Sequence, residues 1–257
     1  MNLKGIFNFS RQTTILIVIV VCISCLGFLT AYIYYNYQNK SEDPRVINAR
    51  EMLVKFEVLM KDRRYGEALQ VMDSVAIIYE HTPGYEGSFE FGVIHNNRGS
   101  VYLTKALYDS LIAPPEKTSL LDTAAVHIRK GIVIYEHWID SVCLMNREQI
   151  ESITSQFFLK NDPRLRESDL ERLIDKRVED VIFAQTETPR RLSVSLTNLG
   201  IIMRHQYKQE EAAQYYIMAI KRWKDNYTAR NNLNVLMGKP PEDRSVFDKL
   251  FPPERID

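Results

Sequence analysis

The sequence predicts an all-α protein: a short stack of antiparallel helix pairs preceded by one N-terminal membrane-crossing helix. Three observations carry that expectation. Residues 13–35 read TTILIVIVVCISCLGFLTAYIYY without a single charge. Beyond them, apolar residues recur at steps of three and four, the period of one helix face, and no stretch alternates apolar and polar residues as a half-buried strand would. Finally, a similar phrase is written three times: ALQVMDSVAIIYEH from Ala68, AAVHIRKGIVIYEH from Ala124 and AAQYYIMAIKRWKD from Ala212. Each copy carries an aromatic residue eleven positions after its alanine, namely Tyr79, Tyr135 and Trp223.

In chain order, residues 1–12 form a short N-terminal segment and residues 13–36 the membrane helix. At about 1.5 Å per residue, a helix of that length crosses a hydrocarbon layer about 30 Å thick. Tyr32, Tyr34, Tyr35 and Tyr37 gather at its C-terminal edge, where rings with an apolar body and a polar tip suit the headgroup zone. A cleaved secretory signal has a shorter apolar core, and lipidation at Cys25 is disfavoured by Cys22 three positions before it. Lys4 and Arg11 before the span, weighed against Lys40 and Arg45 after it, place the N-terminus in the cytoplasm and the remainder outside it, in the periplasm if the host is bacterial.

Asp43-Pro44 reads as the next helix start. Helical periodicity then runs through residues 46–60, 68–79, 91–107, 120–139 and 192–203, separated by breakers at 81–88, 113–117, 161–163, Pro189 and 238–243. Ser168 and Glu171 have the spacing of a capping box. Residues 44–238 therefore make one helical domain, with residues 140–190 inserted as a helical hairpin and residues 239–257 as a tail. The tail's Val246, Phe247, Leu250 and Phe251 have helical spacing, fit to cover the last helix pair or to offer a motif to a partner.

The four residues after each alanine place a large side chain, Met72, Ile128 or Tyr216, and three further on a smaller one, Val75, Gly131 or Ala219. This pattern resembles the second helix of a tetratricopeptide repeat (TPR), best from Val194 to Lys224. There Leu196, Leu199 and Gly200 match the family's first-helix signature, and Ala212, Tyr216 and Ala219 its second. Met203 and Lys224 depart from it. The unit at 45–80 carries the turn RRYGEAL but no first-helix glycine. The unit with Gly99 and Tyr102 reaches Ala124 late, through LYDSLIAPPEKTS read as a lengthened turn. TARNNLNVLMG looks like the first helix of a fourth, capping unit. The resemblance implies a right-handed solenoid that binds peptides along the side lined by its first helices.

Asn97, Asn198 and Asn232 share one position of the repeat, two before the glycine slot. A carboxamide offers a donor and an acceptor together, so a row of them can pair with an extended peptide, similar to the asparagine row in the repeat superhelix of O-GlcNAc transferase. A row merely tolerated at a half-exposed position is the alternative. Arg204, one turn beyond Gly200, could add charge. These four residues are the candidate peptide-binding set.

Function classes are bounded by what else the chain contains. Thirty-three basic residues balance thirty-three acidic ones, leaving no basic field for nucleic acid. The five histidines form no metal-binding pair four apart. Phosphate loops and nucleophile elbows are missing too, so neither catalysis, a metal, a cofactor nor a small-molecule substrate is expected. Cys143 reads as a small buried hydrophobe. Glu80-His81 and Glu136-His137 are adjacent on their helices and do not face each other. Asn39-Lys40-Ser41 and Asn226-Tyr227-Thr228 fit the glycosylation acceptor pattern.

The reading is a single-pass membrane scaffold that binds a protein or peptide partner, similar in layout to bacterial anchored repeat proteins of export or envelope assembly. Two alternatives stand beside it. A structural subunit would show an apolar patch outside the groove. An enzyme or sensor would bury Asp162, Glu167, Asp169 and Glu171 around one cleft of the insertion.

Overall fold

The computed structural model describes residues 11–40 and 42–242, the side chains of 33–40 excepted. Expectations placed on Lys4, on the rings of Tyr34, Tyr35 and Tyr37, on Asn39 and Lys40, and on the tail beyond Glu242 lie outside the described residues. The chain divides into two units, residues 1–42 and 43–257.

The first unit is helix α1, Arg11–Lys40. Its stretch Arg11–Tyr32 has a mean hydropathy of 2.7, is long and apolar enough to cross a membrane, and is nowhere covered by the protein. The Thr30 hydroxyl donates to its own helix at Leu26 O, 2.7 Å away, so the polar atom needs no outside partner.

The second unit is helical throughout its described residues: α2 (Ile47–Lys61), α3 (Tyr65–Glu80), α4 (Phe89–Tyr108), α5 (Pro114–Val142), α6 (Arg147–Ser155), α7 (Leu170–His205), α8 (Gln209–Arg222) and α9 (Tyr227–Leu236), with a 3₁₀ turn at Glu167–Asp169. Consecutive helices pair as α2 with α3, α4 with α5 and α7 with α8, and α9 packs on α8.

The alanine-led phrases occupy α3, α5 and α8. Ala68, Ala124 and Ala212 are fully buried, as are Met72, Ile128 and Tyr216 four residues on. The partner surface is a glycine on the first helix of the pair. A Cβ on Gly200 would sit 2.6 Å from the Tyr216 ring, and one on Gly99 would strike Ile128. Gly92 stands in the same way against Tyr135, the eleventh-position aromatic. In α4 and α5 the pairs 99 with 128 and 92 with 135 run in opposite directions along the chain, so the two helices are antiparallel. A small residue lets the backbones approach, and the large one fills the space beside it.

The first and third pairs also turn alike. Arg63 and Tyr207 both adopt positive φ, 59° and 62°. Arg64 N then donates to Leu59 O and Lys208 N to Met203 O, each at 2.9 Å. This is the left-handed helix stop usually given to glycine; here two larger residues hold it. Helix α9 ends with the same bond, Lys239 N to Asn234 O at 2.8 Å, through Gly238 at φ 71°.

Several local expectations are corrected. The connection within the middle pair is not lengthened: only residues 109–113 separate α4 from α5, and the extra length is helix, because Pro114 and Pro115 suit a first helical turn and α5 begins there. Helix α2 starts at Ile47 rather than at Pro44, because the Asp43 carboxylate is engaged by the Arg45 amide and guanidinium, at 3.0 and 2.8 Å. No capping box forms at Ser168; that segment is the 3₁₀ turn, and α7 has no side-chain cap. The box stands at Asn146 and Gln149, at the start of α6. Asn226 is buried, caps α9, and donates to Ser193 Oγ and Thr197 Oγ1 at 2.8 and 2.9 Å, so its amide is not a surface acceptor.

Pro189 breaks nothing: it lies inside α7, a single 36-residue helix. A proline there removes the amide that would bond the carbonyl four residues earlier, at Gln185. That carbonyl accepts from the Cys143 thiol at 3.5 Å, while the Gln185 side chain donates to Val142 O and Met145 O, both at 2.8 Å, at the end of α5. Burial raises the Cys143 pKa, which keeps the sulfur protonated and able to donate. The inserted segment is thus not a separate hairpin: α6 is its one separate helix, and it shares α7 with the third pair.

Three apolar clusters result. One unites α4, α5, α7, α8 and α9; one unites α2, α3 and the start of α4; a small third, Phe158, Leu165, Leu170 and Leu173, belongs to the insertion. Buried charge sews the insertion to the rest. Arg177 of α7 pairs with Glu90 of α4 and lies 4.0 Å over the Tyr85 ring. Arg45 pairs with Asp43, donates to Phe157 O at 2.8 Å and stacks 4.3 Å over the Phe158 ring.

Candidate functional site

The first helices of the pairs, α2, α4 and α7, border a cavity of about 770 Å³. Helix α2 contributes Arg50, Leu53, Phe56 and Glu57. From α4 come Phe89, Glu90, Val93, Ile94, Asn96 and Asn97, and from α7 Asp180, Phe183, Glu187, Arg190, Arg191 and Val194. The three eleventh-position aromatics, Tyr79, Tyr135 and Trp223, all reach its wall. They differ in burial, however. Tyr79 and Tyr135 are buried, Tyr79 stacking on Tyr85 at 5.3 Å, whereas Trp223 ends α8 half-exposed beneath Arg190, whose guanidinium carbon lies 5.9 Å from the ring centre.

Charge around the cavity is mostly paired. Asp180 accepts from Arg50 at 2.6 Å and from Lys176. Burial would raise its pKa, but those two cations outweigh burial and hold it below the usual carboxylate range. Glu187, only 3% exposed, is held by Arg190 at 3.0 Å through Oε1, while its Oε2 has no hydrogen-bond partner. Phe183 is 57% exposed and Val194 also lies open, so the walls offer apolar surface between the charges.

The candidate residues separate. Asn97 lines the cavity. Asn198 instead donates across to Asn96 Oδ1 at 3.3 Å, an oxygen that also accepts from Ser195 Oγ at 2.9 Å, forming a polar seam between α4 and α7. Arg204 and Asn232 bond each other at 3.3 Å, and Asn232 donates to Thr228 O of its own helix at 2.9 Å. Glu187 was missed in the sequence because nothing local marks it; its neighbour Pro189 pointed to a break rather than to a wall.

Sequence reasoning also missed a histidine pair. His95 Nδ1 of α4 and His127 Nδ1 of α5 are 3.4 Å apart, and the His127 ring stacks on Tyr102. Burial, with Arg98 next, pushes His95 down to about 4. No group of three or more metal-ligating side chains forms among the described residues.

The insertion encloses a second, smaller cavity of about 260 Å³, between the 83–88 loop, the end of α5 and α6. The acidic residues around it do not converge. Asp162 pairs with Arg164, Glu167 with Lys160 and Asp169 with Arg172, and Glu171 is exposed. This is the arrangement of a salt-bridged surface, not of a carboxylate cleft.

Comparison with protein-family models, with curated proteins and with solved structures returned no match.

Proposed function

We propose that the protein is a single-pass, membrane-anchored scaffold whose TPR-like solenoid binds a protein or peptide segment in the groove among α2, α4 and α7. The observation that carries this reading is the cavity itself: it is bordered by the first helix of every complete pair, and its lining mixes open apolar side chains with fixed charges. Sites that take extended segments have that mixture. Helix α1 supports the anchor, since its apolar face has no covering in the protein and finds one in lipid. Lys4 and Arg11 favour a soluble domain on the extracytoplasmic side. Anchoring raises the groove's local concentration at the membrane, so a modest affinity suffices, as export or envelope assembly would require.

A structural subunit is the second reading, favoured by Val126 and Val133. They lie seven residues apart on α5, hence on one face, and both are more than half exposed.

Photocrosslinking in intact cells separates the two. A benzophenone at Phe183 captures a partner if the groove is the site. Capture from Val133 alone favours the subunit reading and contradicts the groove. Protease treatment of sealed spheroplasts tests orientation: digestion of the domain beyond residue 43 is expected, and full protection would reverse the assignment.

A further inference from the structure

The unpartnered oxygen of Glu187 narrows what the groove accepts, given the groove reading on which this inference rests. A buried acceptor without a donor costs about 1–3 kcal/mol in a protein interior, so Glu187 stands ready for a donor that an occupant brings. The surroundings decide which kind. Arg190, three residues on, already neutralises Glu187 through Oε1. Arg191, four residues on and therefore on the same face, bonds the Tyr135 side chain and has no carboxylate at ion-pair distance among the described residues. A lysine or arginine entering here would meet two guanidinium groups, whereas a neutral N–H meets no repulsion. The adjoining wall is apolar at Phe183 and Val194.

We infer that the groove receives an extended, uncharged and largely apolar segment of a partner protein, held by its main chain, with Glu187 Oε2 accepting one backbone N–H. Arg191 adds donors for a backbone carbonyl. Side chains alternate along an extended segment, so every second one lies on the Phe183 and Val194 wall. Recognition through the main chain makes the site tolerant of sequence and intolerant of charge.

The test uses the full chain in nanodiscs of zwitterionic lipid, with empty nanodiscs as the baseline. Three labelled twelve-residue peptides are compared: alternating leucine and serine, leucine and lysine, and leucine and glutamate. The leucine–serine peptide is expected to bind at least tenfold tighter than either charged one. Replacing its amides one at a time by esters, each of which deletes an N–H, is expected to cost about tenfold at one position. Glu187→Met should cancel that penalty, and Glu187→Gln, which keeps a carbonyl acceptor, should retain it. Equal or tighter binding of a charged peptide overturns the inference, as does an ester penalty unchanged in Glu187→Met. Failure of all three peptides refutes the groove reading itself. Binding that emerges only after residues 243–257 are removed makes the chain's own tail the occupant and overturns the assignment to a partner.

Discussion

The two halves of α7 are held by different rules. From residue 190 onward the helix is the first member of a pair, and it docks by size: Gly200 receives Tyr216, only sixteen residues away. Before Pro189 it is held by charge across long stretches of chain, Arg177 to Glu90 and Asp180 to Arg50, separated by 87 and 130 residues. Size matching at helical spacing leaves a periodic trace in the sequence. A buried ion pair between distant residues leaves none.

The largest expected effect strikes the half held by charge. Arg177→Met strands Glu90 in a buried site, and breaking such a pair from one side costs about 3–5 kcal/mol. Urea denaturation should show that loss, and Arg177→Met with Glu90→Leu should recover most of it. If the single variant cost less than about 1 kcal/mol, the insertion would be held by something other than this pair.

The half held by size is sharpened by glycine substitution. Gly200→Ala is expected to cost about 1–3 kcal/mol from overpacking, outweighing the helix propensity gained. Gly66→Ala is the control: it lies in α3 with nothing within 4 Å of an added Cβ, and it should be neutral or stabilising by up to about 1 kcal/mol.

The contrast also explains what could be read in advance. The three alanine-led helices, their large and small positions and the eleventh-position aromatics follow from residues a few steps apart, where geometry along one helix is nearly fixed. The stop at Arg63 and Tyr207 was hidden, because left-handed turns are usually written with glycine. Pro189 misled for a related reason. A proline interrupts a helix only when the freed carbonyl goes unsatisfied, and here Cys143, 42 residues earlier, satisfies it. Of the candidate asparagines, Asn97 reaches the cavity wall while Asn198 bonds Asn96. The repeat register could place both on a first helix, but not the rotation that decides which one the neighbouring helix covers.

Acidification probes the middle pair. The folded pKa of His95 is lowered, so its neutral form is favoured in the fold. Its contribution to stability is complete above the unfolded value near 6.5 and is lost as pH falls toward about 4. After discounting for partial exposure, the loss should be about 1–2 kcal/mol between pH 7 and pH 4. His95→Gln should flatten that part of the pH profile; an unchanged slope would assign it to other groups.

The smallest effect concerns the junction of the two halves. Cys143→Ala removes the donor to Gln185 O and should cost about 0.5–1.5 kcal/mol, with Cys143→Ser retaining part of it. An equal loss in both variants would mean that packing, not the hydrogen bond, matters there.

The central structural claim, that successive pairs lock a first-helix glycine against the residue four after the leading alanine, is tested most directly by double-mutant cycles. Gly200→Ala would be combined with Tyr216→Leu, and Gly99→Ala with Ile128→Val, each read by urea denaturation of the full chain. Both cycles should show coupling of the same sign, about 0.5–3 kcal/mol, because shrinking the second-helix side chain makes room for the added methyl. Additive costs in both cycles would mean that these residues do not share one contact, and the equivalence of the pairs would fail.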